Sequence, residues 1–240
     1  MITLYGGPTP NTRKVAIALE EMQLAWRLHL IDMLAGDQLA PEFVALNPNN
    51  KSPVIRDEDG PGQGGALVLW ESGAILLYLA EKSGGFLPSA PRERALCHQW
   101  LMFQMSGVGP MFGQNAHFSF YAKDRHQYAI NRYANEVTRL LLVLEGRLSQ
   151  SPYLAGETYT IADMATYPYT LRQVETRAAE FPQLKRWSDL IGARPAVQRG
   201  MEVGREHLRK ETIEGGLNGL SDEQRSILFG DRQYARLPVR

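Results

Sequence analysis

The chain has 240 residues and carries 26 Lys and Arg against 26 Asp and Glu, a formal net charge of zero, so it lacks the basic field that nucleic acid requires of a partner. Its single cysteine, Cys97, excludes a disulfide framework or a cysteine-built metal site within one chain, and its five histidines show no ligand spacing. No basic-then-apolar leader opens the sequence and no apolar run reaches the length of a membrane span, so a cytoplasmic protein with no membrane segment and no metal is expected.

Residues 1 to 86 alternate strand and helix signals. Ile2–Gly6 reads as a short strand. Thr9-Pro10-Asn11-Thr12-Arg13-Lys14 then opens an apolar-periodic run through Val15, Ala16, Leu19 and Met22, which predicts a helix over 11–23. Thr9 or Asn11 serves as its N-cap, and Pro10 stands in the first turn, where a missing N–H costs little. Residues 26–31 predict a second strand. The stretch 36–46 is irregular or briefly helical, with Pro41 at a helix start. Two further strands, at 53–57 and 66–70, flank a loop rich in Asp, Gly and Pro, and 71–82 predicts a helix. A β-α-β crossover makes a parallel pair and a short loop an antiparallel hairpin, so this half forms a small mixed sheet covered by helices.

From Gly84 the pattern changes. Pro88 and Pro91 mark a linker at 87–93, and no later run reads as a strand. Helices are expected at 92–104, 124–149, 184–191 and 196–207, with a break or kink at Gly107-Val108-Gly109-Pro110. Thr160-Ile161-Ala162-Asp163 has the form of a capping box ahead of an unusually apolar helix. The fold class is therefore α/β plus all-α. A domain at 1–86, with the order β-α-β-α-β-β-α, precedes an all-helical domain at 94–208 and a tail at 209–240. The tail's apolar anchors are Ile227, Leu228 and Phe229.

The turn at Thr9 carries the chemistry. The N-terminus of a helix presents free N–H groups and a partial positive charge, which favour a thiolate or another anion. In proteins of the thioredoxin and glutaredoxin type this turn reads Cys-Pro-x-Cys. Here it reads Thr-Pro-Asn-Thr, so the scaffold suits thiol chemistry while the thiol is missing.

Four motifs then occur in order: Thr9-Pro10-Asn11, Asn49-Asn50-Lys51-Ser52-Pro53-Val54, Glu71-Ser72-Gly73-Ala74-Ile75, and Thr160-Ile161-Ala162-Asp163. Together they resemble the cytosolic glutathione transferase family over roughly residues 1 to 205. Thr9-Pro10-Asn11 and the segment Gly109 to Phe118 are most similar to the nu-class bacterial members, which are associated with glutathione-dependent disulfide-bond reduction. The resemblance implies a thioredoxin-like first domain, bound glutathione as substrate and a homodimer. Pro53 is expected in the cis form, turning the Ser52 N–H and C=O toward the cysteinyl backbone of glutathione. Glu71 and Ser72 would hold the γ-glutamyl end, Lys51 and Gln38 the glycyl carboxylate, and Thr9 and Asn11 the sulfur. A donor to that sulfur favours the thiolate. Arg132, next to Tyr133, would lie near the glutathione site or at the dimer contact. Gln104, Asn115 and His117 would line a second-substrate pocket or satisfy backbone groups at the helix break. Tyr5, inside the first strand, and Cys97 read as packing residues. The expected reaction is reduction of a small disulfide by bound glutathione thiolate, giving glutathione disulfide. Conjugation to an electrophile, peroxide reduction and a non-catalytic binding role are the alternatives.

Overall fold

Strand β1 (Ile2–Gly6) runs through the middle of the first domain, parallel to β2 (Trp26–Leu30) and antiparallel to β3 (Val54–Asp57), which pairs onward with β4 (Leu67–Trp70). The computed structural model describes residues 1–207 and 220–234. The sheet order is β2-β1-β3-β4, a mixed sheet of the expected kind. Helix α1 (Pro10–Glu21) makes the crossover that the parallel pair requires. On one face of the sheet Ile2, Leu4 and Ile55 pack with Val15, Ile17 and Leu19 of α1 and Ile75, Leu76 and Leu79 of α3 (Ser72–Ser83). The other face buries Ile31 and Val54 with Phe43 of α2 (Pro41–Leu46). The buried Asp57 fastens α3 to β3, accepting from the Tyr78 hydroxyl at 2.6 Å and facing Lys82 Nζ at 2.9 Å.

The second domain is helical. Helix α4 (Pro91–Phe103) begins at a proline in its first turn, inside the segment predicted as linker, because that position loses no intrahelical bond. At the expected break or kink, Gly107–Pro110, the helix does not stop: a π turn, Gln104–Val108, carries it into α5 (Gly109–Ala116). The Gly109 N–H reaches back to the Gln104 carbonyl, so the wider turn absorbs one extra residue and lets Pro110 occupy the start of a new helical turn. A second π turn, His117–Tyr121, follows. Then come α6 (Gln127–Leu148), α7 (Ile161–Thr176), α8 (Pro182–Gly192), α9 (Pro195–Met201) and α10 (Asp222–Phe229), with a short 3-10 turn at Asp231–Gln233. The expected boundary at 208/209 lies outside the described residues.

The capping box is present. Asp163, wholly buried, accepts from the Thr160 N–H and hydroxyl at 3.0 and 3.1 Å, from the Leu154 N–H at 3.0 Å and from Trp187 Nε1 at 2.9 Å. One carboxylate thus ties the start of α7 to the preceding loop and to α8.

Helix α1 is gripped by the second domain. Gly200 of α9 lies so close to the Ile17 backbone that a Cβ there would fall 2.6 Å from it. Arg194 forks onto Glu21 at 2.6 and 2.7 Å, and Arg199 meets Glu20 at 2.6 Å. These contacts hold the middle and last turn of α1 at the seam between the two domains, and Tyr169 on Asn11 and Gln104 on Lys14 hold its head there. Among the described residues no helix is long and apolar enough to cross a membrane.

Candidate functional site at the domain seam

Thr9 is the N-cap of α1. Its backbone is extended and its Oγ1 accepts from the Thr12 N–H at 3.3 Å and lies 3.1 Å from the Thr12 hydroxyl. Gly6 permits that approach, since a Cβ there would meet Thr12 Oγ1 at 2.6 Å. Asn11 stands one residue past Pro10, and its Oδ1 accepts from the Tyr169 hydroxyl of α7 at 3.0 Å. Burial pushes Tyr169 up to about 12, against the effect of that hydrogen bond, so it stays a phenol and a donor. A side chain from the helical domain thereby orients one of the two residues expected at the glutathione sulfur.

The head of α3 lies beside the head of α1. Glu71 is its N-cap, exposed, with φ 72° and ψ 110°. A left-handed φ is uncommon for a side-chain-bearing residue outside glycine and is concentrated at functional sites. Ser72, next to it, is 4% exposed, and its Oγ accepts from Lys14 Nζ at 3.3 Å. The Ser52–Pro53 peptide is cis. Ser52 is half-buried, with Oγ 3.9 Å from Met33 Sδ.

The glycyl-end candidates are divided. Gln38 is 3% exposed, with Nε2 on the Met33 carbonyl at 3.3 Å and a buried Oε1 that finds no partner among the described residues. Lys51 is exposed and donates to Gln233 Oε1 at 2.8 Å, while Asn50 Nδ2 meets the Gln233 carbonyl at 3.4 Å. The segment after α10 thus lies on the motif that leads to Ser52. Ile227 of α10 is buried and approaches Gly36, on the loop preceding Gln38.

The second-substrate candidates do not form one wall. Gln104 is fully buried, and its Oε1 accepts from Lys14 Nζ at 2.7 Å, so it faces the interior seam. The helix widens into a π turn there, and that turn points Gln104 inward. His117 lines a cavity of about 420 Å³ with Tyr121, Arg225 and Phe229, its ring 4.7 Å from that of Phe229. Burial and the nearby Arg225 both lower the His117 pKa, so it is neutral at pH 7. Asn115 is half-buried on α5. Arg132 lies on the exposed side of α6, paired with Glu136 at 3.2 Å. Tyr5 packs against His29, and Tyr133 stacks on Phe118. Cys97 is fully buried on α4, where burial pushes its thiol up.

The residue that sequence reasoning passed over is Lys14. It stands within an apolar run, yet it is 1% exposed and joins α1 to Ser72 and to the π turn of the second domain. A lysine between Thr12 and Val15 has the spacing of a polar helix face. The one hint available was its place on the same helical face as Ala18.

A four-stranded mixed sheet with its crossover helix capped at Thr9, a cis proline at the start of β3, and an all-helical domain closing one side define a thioredoxin-like domain joined to a helical bundle. The chain belongs to the glutathione S-transferase family: it matches the family's N-terminal domain over residues 9–82 and its C-terminal domain over residues 108–195. It is similar to the disulfide-bond oxidoreductase YfcG of Escherichia coli, with 47% identity over 203 residues that cover 84% of this chain and 94% of the relative. It is also similar to a glutathione transferase family member from Pseudomonas fluorescens solved with two glutathione bound, at a TM-score of 0.80 and 45% identity, covering 84% of this chain and 92% of that one. A glutathione transferase from Pseudomonas putida solved with one glutathione disulfide per subunit matches at a TM-score of 0.79 and 45% identity, covering 84% and 90% of the two chains. Among the described residues no group of three His, Cys, Asp or Glu is placed to hold a metal.

Proposed function

We propose that the chain is a cytoplasmic, homodimeric enzyme that reduces disulfides with glutathione. The observation that carries this reading is the convergence of two helix heads, those of α1 and α3, on one seam that contains no protein thiol. One glutathione lies along Ser52 with its γ-glutamyl end at Glu71 and Ser72, its glycyl carboxylate toward Lys51 and Gln38, and its sulfur at Thr9 and Asn11. Tyr169 occupies Asn11 Oδ1 and leaves the amide N–H groups for the sulfur. The Thr9 hydroxyl accepts from the Thr12 N–H, and its own proton goes to the sulfur when the Thr12 hydroxyl donates in the 3.1 Å contact between the two side chains.

The thiolate of this glutathione attacks one sulfur of the substrate disulfide. A glutathione–substrate disulfide forms and the other half leaves as a thiolate. A second glutathione thiolate attacks the glutathione sulfur of that mixed disulfide, giving glutathione disulfide and releasing the remaining half. Two electrons pass from two glutathiones to the substrate, and the protein contributes no sulfur. A helix terminus is worth about 0.3–1 kcal/mol to a nearby anion, and a direct hydrogen bond to a charged group about 1.5–3 kcal/mol. At about 1.4 kcal/mol per pKa unit, the hydrogen bond lowers the thiol by about one to two units and the helix terminus by up to roughly 0.7 more. That range suits exchange chemistry, because a much lower pKa weakens the nucleophile. The disulfide-bond oxidoreductase name of the Escherichia coli relative, and the bound glutathione and glutathione disulfide of the two Pseudomonas structures, support this reading. Arg132, exposed on α6 beside Tyr128, is assigned to the contact with the second subunit.

The test is the steady-state rate with glutathione and 2-hydroxyethyl disulfide, set beside rates with 1-chloro-2,4-dinitrobenzene and cumene hydroperoxide. A rate well above uncatalysed exchange on the disulfide alone is expected. Activity confined to the electrophile or the peroxide would move the reading to conjugation or peroxide reduction, and binding without turnover on all three to a regulatory role.

A further inference from the structure

Lys14 Nζ is buried at the seam with its donors directed at Gln104 Oε1 (2.7 Å) and Ser72 Oγ (3.3 Å), with Met105 Sδ at 3.5 Å and the centre of the Tyr169 ring at 4.9 Å. Among the described residues no carboxylate forms an ion pair with it. An ammonium buried without an anion is costly, and its removal by a neutral apolar side chain would normally be favourable. Its cost is visible as a pKa pushed down to about 7 by burial, which Glu71 partly opposes. In its charged form Lys14 donates and cannot accept, so Ser72 Oγ is then the acceptor, and the serine's own proton is left for Met105 Sδ, 3.7 Å away, or for a ligand that outcompetes this weak sulfur acceptor. Ser72 opens α3, where free backbone N–H groups also point outward.

With glutathione's γ-glutamyl end at Glu71 and Ser72 as in the reading above, we propose that Lys14 is the positioning residue of that end: it sets the Ser72 hydroxyl to donate outward and, from behind it, supplies the positive charge that answers the ligand's α-carboxylate. The charge left without an anion in the protein is then balanced by the ligand. Gln104 and Met105 hold the ammonium from the second domain, so the helical bundle takes part in recognising the glutamyl end.

The consequence is proton linkage. The carboxylate favours the charged form of Lys14 and raises its pKa, so binding takes up a proton near neutral pH. Affinity is then highest below the free-state value and falls as the pH rises through it. The titratable groups facing Lys14 are Glu71 at the head of α3 and the Tyr169 phenol on α7; the π turn offers only neutral Gln104 and Met105. Arg13, beside it on α1, is directed instead at the pocket of Glu202 and Arg205. Tyr169 stays phenolic through the neutral range and does not supply this titration.

The experiment is titration calorimetry of the full chain with S-methylglutathione, whose sulfur cannot ionise, in buffers of different ionisation heat. From a free-state value of about 7, affinity should fall roughly tenfold between about pH 6 and pH 8, with most of one proton taken up at about pH 7.5. Lys14→Met should abolish the uptake and flatten the profile, while Lys14→Arg keeps affinity high but independent of pH. If Lys14→Met fails to fold, the wild-type protein still decides. Binding with no proton uptake and a flat profile overturns the role of Lys14 and leaves the glutathione site standing. No binding of S-methylglutathione by the folded wild-type protein overturns the glutathione site itself, and the role of Lys14 with it.

Discussion

Thr9→Ala removes two things at once, and pH separates them. The first is the N-cap of α1. Its hydrogen bond to the Thr12 N–H is long, at 3.3 Å, so the loss should sit near the lower end of the usual range, about 0.5–1 kcal/mol, or a Tm drop of roughly 1–4 °C. The second is the hydroxyl assigned to the glutathione sulfur. Loss of about 1.4 kcal/mol of thiolate stabilisation raises the thiol pKa by about one unit and cuts the thiolate fraction at neutral pH roughly tenfold. The more basic thiolate is a better nucleophile by about threefold, for a Brønsted slope of about 0.4–0.5. For a wild-type thiol about one unit below the free value of about 8.5, the net rate on a small disulfide should thus fall about threefold at pH 7 and overtake the wild-type rate above about pH 8. Thr9→Ser should restore both the Tm and the profile. The assay is the pH dependence of kcat/KM for 2-hydroxyethyl disulfide at subsaturating glutathione. A loss of equal size at every pH, with no crossing, would refute the reasoning and leave Thr9 as a cap alone.

Three further substitutions probe separate parts of the account. Ser72→Ala should weaken glutathione binding by about 1–2 kcal/mol, roughly five- to thirtyfold in Kd, with kcat at saturation nearly unchanged; unaltered affinity would take Ser72 out of the site. Asp163→Ala leaves the Leu154 and Thr160 N–H groups and Trp187 Nε1 without their acceptor, and should cost about 3 kcal/mol or more, lowering Tm by roughly 6–12 °C in a thermal melt. A drop of a degree or less would show that these donors find other partners. Gln233→Ala frees Lys51, and should tighten glutathione binding by about two- to fivefold in calorimetry, the worth of one neutral–charged hydrogen bond at an exposed position. Weaker binding would mean that the segment after α10 helps hold the ligand.

What the sequence disclosed was local. The cap at Thr9, the prolines opening α1 and α2, the hairpin loop and the capping box at Thr160 each depend on residues within a few positions of one another, and each is present. The cis Ser52–Pro53 peptide came from the resemblance, since a lone proline at a strand start carries no such signal. What stayed hidden was set across long separations. Lys14 reads as a solvated face of α1 until Gln104, 90 positions later, is brought beside it. The π turns were invisible because glycine and proline at 107–110 give the same local signal whether a helix stops or widens. Helix α10 had three apolar anchors in the sequence, but only the tertiary fold sets Ile227 against Gly36 and Gln233 against Lys51.

The central claim is that the sulfur doing the work belongs to glutathione and not to the protein, whose sole thiol is Cys97. Cys97 is fully buried and burial pushes its thiol up, away from the reactive thiolate form. The most direct measurement is the glutathione-dependent rate of 2-hydroxyethyl disulfide reduction by Cys97→Ala, with folding checked by circular dichroism. An unchanged kcat/KM is the predicted result. Loss of the rate in a folded variant would contradict the account and make the protein's own cysteine part of the reaction.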